Sequence, residues 1–175
     1  MSPTAMTPTI LEQAVDQNGE SLAALSREKP RLVVFLRHGG CTFCRQALAD
    51  LSRDRAKIEQ AGTGIVLVHM QTDADGKALF AQYGLADVPR ISDPDRKIYE
   101  AFELHRGSLA QVAGPAVWVR GFVSLLTGSL PGIPNADVYQ LPGTFLVHDG
   151  EIVRAFRNKD SAERPDYCEL AGAPK

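Results

Sequence analysis

Two short apolar runs, each followed by a stretch with helical periodicity, constrain the fold of this chain more than any other feature. Residues 31–36 read RLVVFL and residues 64–70 read GIVLVHM, and both are rich in residues that favour strands. Runs of this kind, bounded by turn signals, are typical of strands that are buried on both faces of a sheet. Strands that alternate with helices along the chain indicate βαβ units around a parallel sheet.

The segment after the first run predicts a helix over about 42–60. Its apolar side chains recur at spacings of 4, 3 and 7 residues on one face: Cys44, Leu48, Leu51 and Ile58. The remaining pattern is βα followed by an antiparallel hairpin and a short helix. We expect helical turns at 21–25, helices over 72–84, 96–103 and 165–171, a strand at 88–91, and a hairpin that turns at Asp149-Gly150.

The length of 175 residues suits one domain. We expect a flexible tail over residues 1–9 and a single domain over residues 10–175. The stretch 106–140 holds many glycines and prolines and has no clear period, so it reads as an insertion or lid.

Composition excludes several classes of protein. Lys and Arg total 19 against 21 for Asp and Glu, and a chain with net charge −2 is a poor candidate for binding nucleic acid. The longest apolar runs are far shorter than a membrane span. The polar start MSPTAMTPT has no signal-peptide core, so we expect a cytoplasmic protein in a reducing compartment.

The residues with the most reactive side chains lie where the first apolar run meets the first long helix. Gly39-Gly40 ends the strand, and Cys41 and Cys44 follow as a Cys-x-x-Cys pair at the helix start. A helix N-terminus stabilises thiolates, and two cysteines at this spacing can form a local disulfide. Cys41 precedes the helix and is expected to be the more exposed thiol, whereas Cys44 begins the apolar stripe.

Two simpler interpretations compete with redox chemistry. Half of a zinc site would need further ligands, but the four histidines are scattered and no second Cys-x-x-Cys exists. Both cysteines could also be inert core residues. The order of strand, Cys-x-x-Cys and helix favours a redox pair over either alternative.

The stretch RLVVFLRHGGCTFCRQALADLSR resembles the peroxiredoxin-like branch of the alkyl hydroperoxide reductase/thiol-specific antioxidant superfamily, which includes prostamide/prostaglandin F synthase. The similarity extends through ISDPDRKIYEAFEL and resumes at LPGTFLVHDGEIVRAFR, so it covers roughly 15–165 and is weak over 106–140. The resemblance implies an α/β thioredoxin fold. Its central mixed β-sheet would be flanked by helices, with the insertion at about 106–140.

Typical members of this superfamily carry Pro-x-x-x-Thr-x-x-Cys. On that pattern Cys44 takes the peroxide-reactive position, Cys41 that of the threonine and Arg37 that of the proline. The missing threonine hydroxyl removes a usual hydrogen bond to peroxide, and a Cys41–Cys44 disulfide becomes the implied oxidised state. The peroxiredoxin analogy favours Cys44 as the attacking thiol and the thioredoxin analogy favours Cys41; we favour Cys44. Cys168 is expected to be a bystander rather than a second resolving thiol.

Five residues are assigned supporting roles. Thr42 lies inside the motif, and Arg37 and Arg120 compete as the arginine that contacts peroxide. His38 either tunes a thiolate or simply ends the strand. Pro142 is either the cis-proline that thioredoxin folds place opposite their active site or a trans-proline that starts a strand.

The expected function is that of a thiol-dependent peroxidase that reduces hydrogen peroxide or organic hydro- or endoperoxides through Cys41 and Cys44. Thioredoxin or another dithiol is the expected reductant, and no metal or organic cofactor is required. A protein thiol–disulfide oxidoreductase is the alternative enzyme. A non-catalytic thioredoxin-fold module that senses redox state or binds a partner is the alternative of another class. The oligomeric state stays open.

Overall fold

A six-stranded mixed sheet forms the centre of the structure, a computed structural model that describes residues 4–5, 8–37, 39, 41–108 and 137–173. The strands are β1 (Thr4–Ala5), β2 (Arg31–Phe35), β3 (Gly64–His69), β4 (Arg90–Ser92), β5 (Gly143–His148) and β6 (Glu151–Arg157). Their order across the sheet is β1-β6-β5-β2-β3-β4. Strands β2, β3 and β4 pair in parallel, and β5 and β6 are antiparallel to their neighbours. The predicted fold class is confirmed.

Helices cover both faces of the sheet. They are α1 (Pro8–Gln13), α2 (Leu22–Glu28), α3 (Thr42–Gln60), α4 (Asp73–Ala81), α5 (Lys97–Ala101) and α6 (Tyr167–Ala171). Side chains of α1, α2 and α5 pack with Val33 and Phe35 of β2, and those of α3, α4 and α6 pack with Leu32 and Val34. Every residue of β2 and β3 is buried, as the continuous apolar runs predict.

Most of the predicted elements lie where they are expected. Helix α3 has the predicted bounds, and the hairpin turns at Asp149 and Gly150, both of which have positive φ. Strand β4 begins two residues later than predicted, since it starts at Arg90. Strand β1 and the first residues of α1 fall within the range 1–9 that is expected to be a tail. The sequence indicates neither element, because two strand residues and six helical residues carry too little periodicity.

Aromatic contacts hold the C-terminal end of β2 in place. The Phe35 ring lies 4.9 Å from Tyr99, 4.8 Å from Phe102 and 5.6 Å from Phe145, measured between centroids. Such pairs add about 0.5–1.5 kcal/mol each beyond the burial of their surface. In register, Phe35 pairs with Val68 on one side and Gly143 on the other. The end of β2 therefore lies beside the start of β5.

A buried carboxylate organises the helix that supplies Tyr99. Asp93 is buried, and its carboxylate accepts hydrogen bonds from the backbone N–H groups of Lys97 (3.0 Å), Ile98 (2.8 Å) and Tyr99 (3.2 Å). These are donors at the start of α5 that have no partner within the helix. The carboxylate therefore fixes α5 against the sheet.

Replacing Asp93→Ala should destabilise the protein, because it leaves buried N–H groups without acceptors. We expect a loss of about 1–3 kcal/mol in the free energy of unfolding, measured by urea titration with far-UV circular dichroism. Asp95→Ala is the matched control, because the Asp95 side chain is exposed. That control should change stability by less than about 0.5 kcal/mol. Equal effects of the two substitutions would contradict the role of Asp93.

Candidate active site

The two cysteines of the motif lie at the start of α3, directly after the chain leaves β2. Cys41 is the N-cap residue of α3, with extended backbone at φ −78° and ψ 115°. The backbone N–H of Cys44 donates a hydrogen bond to Cys41 Sγ at 3.4 Å, as it would to a serine or aspartate oxygen at an ordinary N-cap. The Cys41 sulfur thus lies at the positive end of the helix dipole, where negative charge is stabilised.

Arg37 connects both sulfur atoms to the end of β2. Its backbone N–H donates to Cys44 Sγ at 3.3 Å, and its guanidinium Nη1 donates to Cys41 Sγ at 3.5 Å. Nη2 donates to the carbonyl oxygen of Val138, and Nε has no partner among the described residues although the side chain is buried. A positive charge is therefore held against the thiols within the protein interior.

The two thiols differ in pKa and not in exposure. Cys41 is 5% exposed and Cys44 is 4% exposed, so the expectation that Cys41 is the more exposed thiol is wrong. The hydrogen bond from the Cys44 thiol lowers the pKa of Cys41 to about 6. The charge of Arg37 and the backbone N–H groups also lower it, whereas burial opposes them. Burial raises the pKa of Cys44 well above its ordinary value, and the neighbouring Cys41 raises it further.

A narrow cavity lies beside Cys44, between α3, the start of β5 and the loop before α6. Its volume of about 20 Å³ is room for about one water-sized molecule. Pro142, Thr144 and Tyr167 line it together with Cys44, and Cys41 is not among the described residues that do. A small molecule in this cavity would therefore meet the Cys44 sulfur.

Of the remaining predicted site residues, the structure describes Thr42 and Pro142 but not His38 and Arg120. Thr42 is the first residue of α3 and half-buried, and no hydrogen bond joins its hydroxyl to either sulfur within the described part of the chain. Pro142 lies just before β5 and lines the cavity, and its peptide bond is trans, as are all those of the described residues. The cis interpretation of Pro142 is therefore wrong. His38, Arg120 and most of the predicted insertion at 106–140 lie outside the described residues.

Cys168 lies on α6, which packs against α3 on the same face of the sheet as the motif. It is buried, and all three cysteines are free thiols in the structure. Its expected bystander role stays a prediction.

Two residues that contribute to the site carry no recognisable signal in the sequence. The carbonyl of Val138 accepts from Arg37 across 101 positions of the chain, and no local pattern can indicate such a contact. The Tyr99 hydroxyl donates to the carbonyls of Leu36 and Val68, at 3.2 Å for the latter, so it ties the ends of β2 and β3 together. Tyr99 lies within the segment ISDPDRKIYEAFEL, but its periodicity marks it only as an apolar helix residue.

Two further features of the described residues bear on the alternative interpretations. Among the described residues, no three His, Cys, Asp or Glu side chains come together as metal ligands would. No helix in that part of the chain is long and apolar enough to cross a membrane. The cytoplasmic location stays a prediction.

Comparison with known proteins identifies relatives. The sequence profile of the AhpC/TSA antioxidant enzyme family matches residues 50–160. Human Peroxiredoxin-like 2C is 25% identical over 152 residues, which is 79% of this chain and 66% of the relative, just under two thirds of its length.

Solved structures agree with the fold. A mutant of Xanthomonas campestris Peroxiredoxin Q superposes with a TM-score of 0.63 at 18% identity and covers 91% of both chains. A secreted Mycobacterium tuberculosis disulfide oxidoreductase homologous to E. coli DsbE superposes with a TM-score of 0.52 at 16% identity, covering 91% of this chain and 90% of that one. At these identities the likeness concerns the fold.

The low pKa of Cys41 predicts a thiolate that titrates in the mildly acidic range. In the reduced Cys168→Ser protein, absorbance at 240 nm should rise by one thiolate with a midpoint near pH 6. Because the charged form lies above this midpoint, alkylation by iodoacetamide should slow as the pH falls through it. Peptide mapping after brief alkylation at pH 7 should find the label on Cys41.

Adding Cys41→Ser is the matched control and should abolish the step near pH 6. A step that survives this substitution, or label that appears first on Cys44, would contradict the assignment.

Proposed function

The chain belongs to the AhpC/TSA antioxidant enzyme family, and on this premise we propose that it is a thiol-dependent peroxidase. Its substrate is hydrogen peroxide or a small organic peroxide, and Cys41 and Cys44 form its redox pair. Peroxiredoxin-like relatives support an oxidoreductase in general. The finer assignment depends on the thiols themselves.

One observation carries the proposal: the Cys41 sulfur caps α3 and accepts hydrogen bonds from Cys44 N–H and Arg37 Nη1. Thiolate, not thiol, is the nucleophile that attacks an O–O bond. The pKa of Cys41, lowered to about 6, leaves most of this residue ionised at neutral pH. Cys44 stays protonated and adjacent, as a resolving thiol must before it condenses.

The proposed cycle has three steps. The Cys41 thiolate attacks the peroxide ROOH, the O–O bond breaks, and with one proton the products are Cys41 sulfenic acid and ROH. The Cys44 sulfur then displaces water from the sulfenic acid, which forms the Cys41–Cys44 disulfide. An external dithiol such as thioredoxin reduces this disulfide by thiol–disulfide exchange and is itself oxidised.

This assignment departs from the sequence-based preference for Cys44 as the attacking thiol. The cavity beside Cys44 supports that preference, because a peroxide in it would contact the Cys44 sulfur. The raised pKa of Cys44 opposes it, because a protonated thiol in an apolar setting reacts slowly. We give the ionisation more weight than the cavity, since a thiolate is required whichever sulfur attacks.

Protein thiol–disulfide exchange is the second candidate function. The same arrangement favours it: a low-pKa thiol at a helix N-cap, with a buried partner three residues later, reacts with disulfides as well as with peroxides. Loss of the threonine hydroxyl at position 41, where the family pattern has Thr, also removes a group that assists peroxide. The two activities are separated by their substrates.

The peroxidase proposal is tested by following peroxide consumption with a thioredoxin regenerating system. Cys41→Ser should lower the rate by ~100-fold or more, because it removes the nucleophile. Cys44→Ser should retain one turnover and accumulate a sulfenic acid on Cys41, trapped by dimedone and located by mass spectrometry. Cys168→Ser is the matched control and should keep turnover within about 2-fold of the unchanged protein.

Four outcomes would contradict the proposed cycle or favour another function. Peroxide loss that survives the double substitution of Cys41 and Cys44 would refute the peroxidase. Dimedone on Cys44 in the Cys41→Ser protein, with undiminished peroxide reduction in the first turnover, would restore Cys44 as the attacking thiol. Reduction of insulin disulfides without peroxide loss would support the second function. Neither activity, with one zinc bound per chain, would support a binding module.

A further inference from the structure

Arg37 is a buried cation, and among the described residues the only group able to carry a negative charge that contacts its guanidinium is the Cys41 sulfur. We propose that Arg37 is a positioning residue that makes the Cys41–Cys44 disulfide a strong oxidant, because disulfide formation removes the counter-anion of a buried guanidinium. The inference rests on the proposed function only in that the pair must cycle between dithiol and disulfide.

The other buried arginines of the described chain form ion pairs with carboxylates. Arg31, Arg37 and Arg90 are 5%, 4% and 5% exposed. Arg31 pairs with the carboxylate of Glu28, and Arg90 pairs with Asp73 at 2.7 Å. Within the described part of the chain, Arg37 forms no ion pair with a carboxylate. A buried charge is costly unless it is paired, so the Cys41 thiolate fills the place that a carboxylate fills at the other two sites.

The guanidinium of Arg37 is also held by a neutral hydrogen bond to the backbone. Nη2 donates to the Val138 carbonyl, and the backbone N–H donates to Cys44 Sγ at 3.3 Å. Nε is buried and has no acceptor in the part of the chain that the structure describes. The Val138 carbonyl is not part of the thiol pair, so the cation cannot follow a lost partner into solvent without breaking this hydrogen bond.

In the contact between Arg37 and Cys41, oxidation changes the charge of the sulfur and not that of the guanidinium. With two molecules of a thiol RSH, reduction reads: Cys41–S–S–Cys44 + 2 RSH → Cys41–S⁻ + Cys44–SH + RSSR + H⁺. One sulfur–sulfur bond breaks and another forms, and one proton is released because Cys41 remains ionised at neutral pH. A disulfide sulfur is neutral and only a weak acceptor, so the oxidised state leaves the guanidinium uncompensated. Stabilising the reduced form in this way makes a disulfide more oxidising.

The test is the redox equilibrium with glutathione, measured in the absence of peroxide. The Cys168→Ser protein is equilibrated with graded ratios of reduced to oxidised glutathione at pH 7 and quenched in acid. The oxidised fraction is read by alkylation and mass spectrometry. In the same background, Arg37→Met should shift the equilibrium constant at least ~10-fold toward the protein disulfide, because it removes the cation that favours the thiolate. The thiolate midpoint at 240 nm should rise in parallel.

Further variants keep the result interpretable. Arg90→Met removes a buried arginine that is remote from the motif in the sequence and paired with a carboxylate, and it should leave the constant within about 2-fold. Arg37→Lys keeps the charge but not the fork that spans Val138 and Cys41, and it should give an intermediate constant. If Arg37→Met fails to fold by circular dichroism, Arg37→Gln decides, because it removes the charge and keeps a donor for the Val138 carbonyl.

The inference is overturned if Arg37→Met, or Arg37→Gln in its place, leaves the constant unchanged, or if Arg90→Met shifts it equally. It is also overturned if peptide mapping finds no Cys41–Cys44 disulfide. An Arg37-dependent constant in a protein that consumes no peroxide would refute the peroxidase and leave this inference intact.

Discussion

A sulfur atom at the N-cap of a long helix is the interaction on which the site depends. At most helix starts the cap is an oxygen, which accepts one of the unpaired N–H groups and stays chemically inert. Here Cys41 Sγ accepts that hydrogen bond from Cys44, and the position that stabilises the helix also stabilises a thiolate. The folding role and the chemical role of Cys41 are therefore the same contact. Both weaken if the sulfur is oxidised.

The sheet brings the rest of the site to that sulfur. β2 is central, with β3 parallel on one side and β5 antiparallel on the other, so the C-terminal end of β2 lies beside the end of β3 and the start of β5. Tyr99 closes this edge by donating to the carbonyls of Leu36 and Val68. Arg37, the next residue after Leu36, is thereby held where its backbone reaches one thiol and its guanidinium the other.

The features that the sequence predicts well are those with a local pattern. The apolar run of β2, the period of α3 and the Asp149-Gly150 turn each depend on neighbouring residues, and each lies within a residue or two of its expected place. The Cys41–Cys44 motif can be predicted for the same reason. The relative exposure of the two thiols cannot be predicted from the sequence, because burial depends on the packing of segments that are distant in the chain. The contact from Arg37 to Val138 is likewise non-local and leaves no sequence signal.

Arg37 also joins the redox pair to the base of the segment that begins and ends near residues 106 and 140. Two short stretches meet there. Arg106 and Gln140 form an isolated antiparallel β-bridge, and the Asp137 carboxylate forms ion pairs with Arg96 and Arg106 at 2.9 Å each. Val138, whose carbonyl holds Arg37, directly follows Asp137 in the chain. Three arginines thus converge on a region where Asp137 carries a negative charge and where we propose that Cys41 carries another. Oxidation removes one of these two anions, so its electrostatic cost falls on the base of this segment as well as on the sulfur. A charge change at Cys41 therefore has a direct physical path, through Arg37 and Val138, to the end of the segment 106–140 that the sequence marks as an insertion or lid.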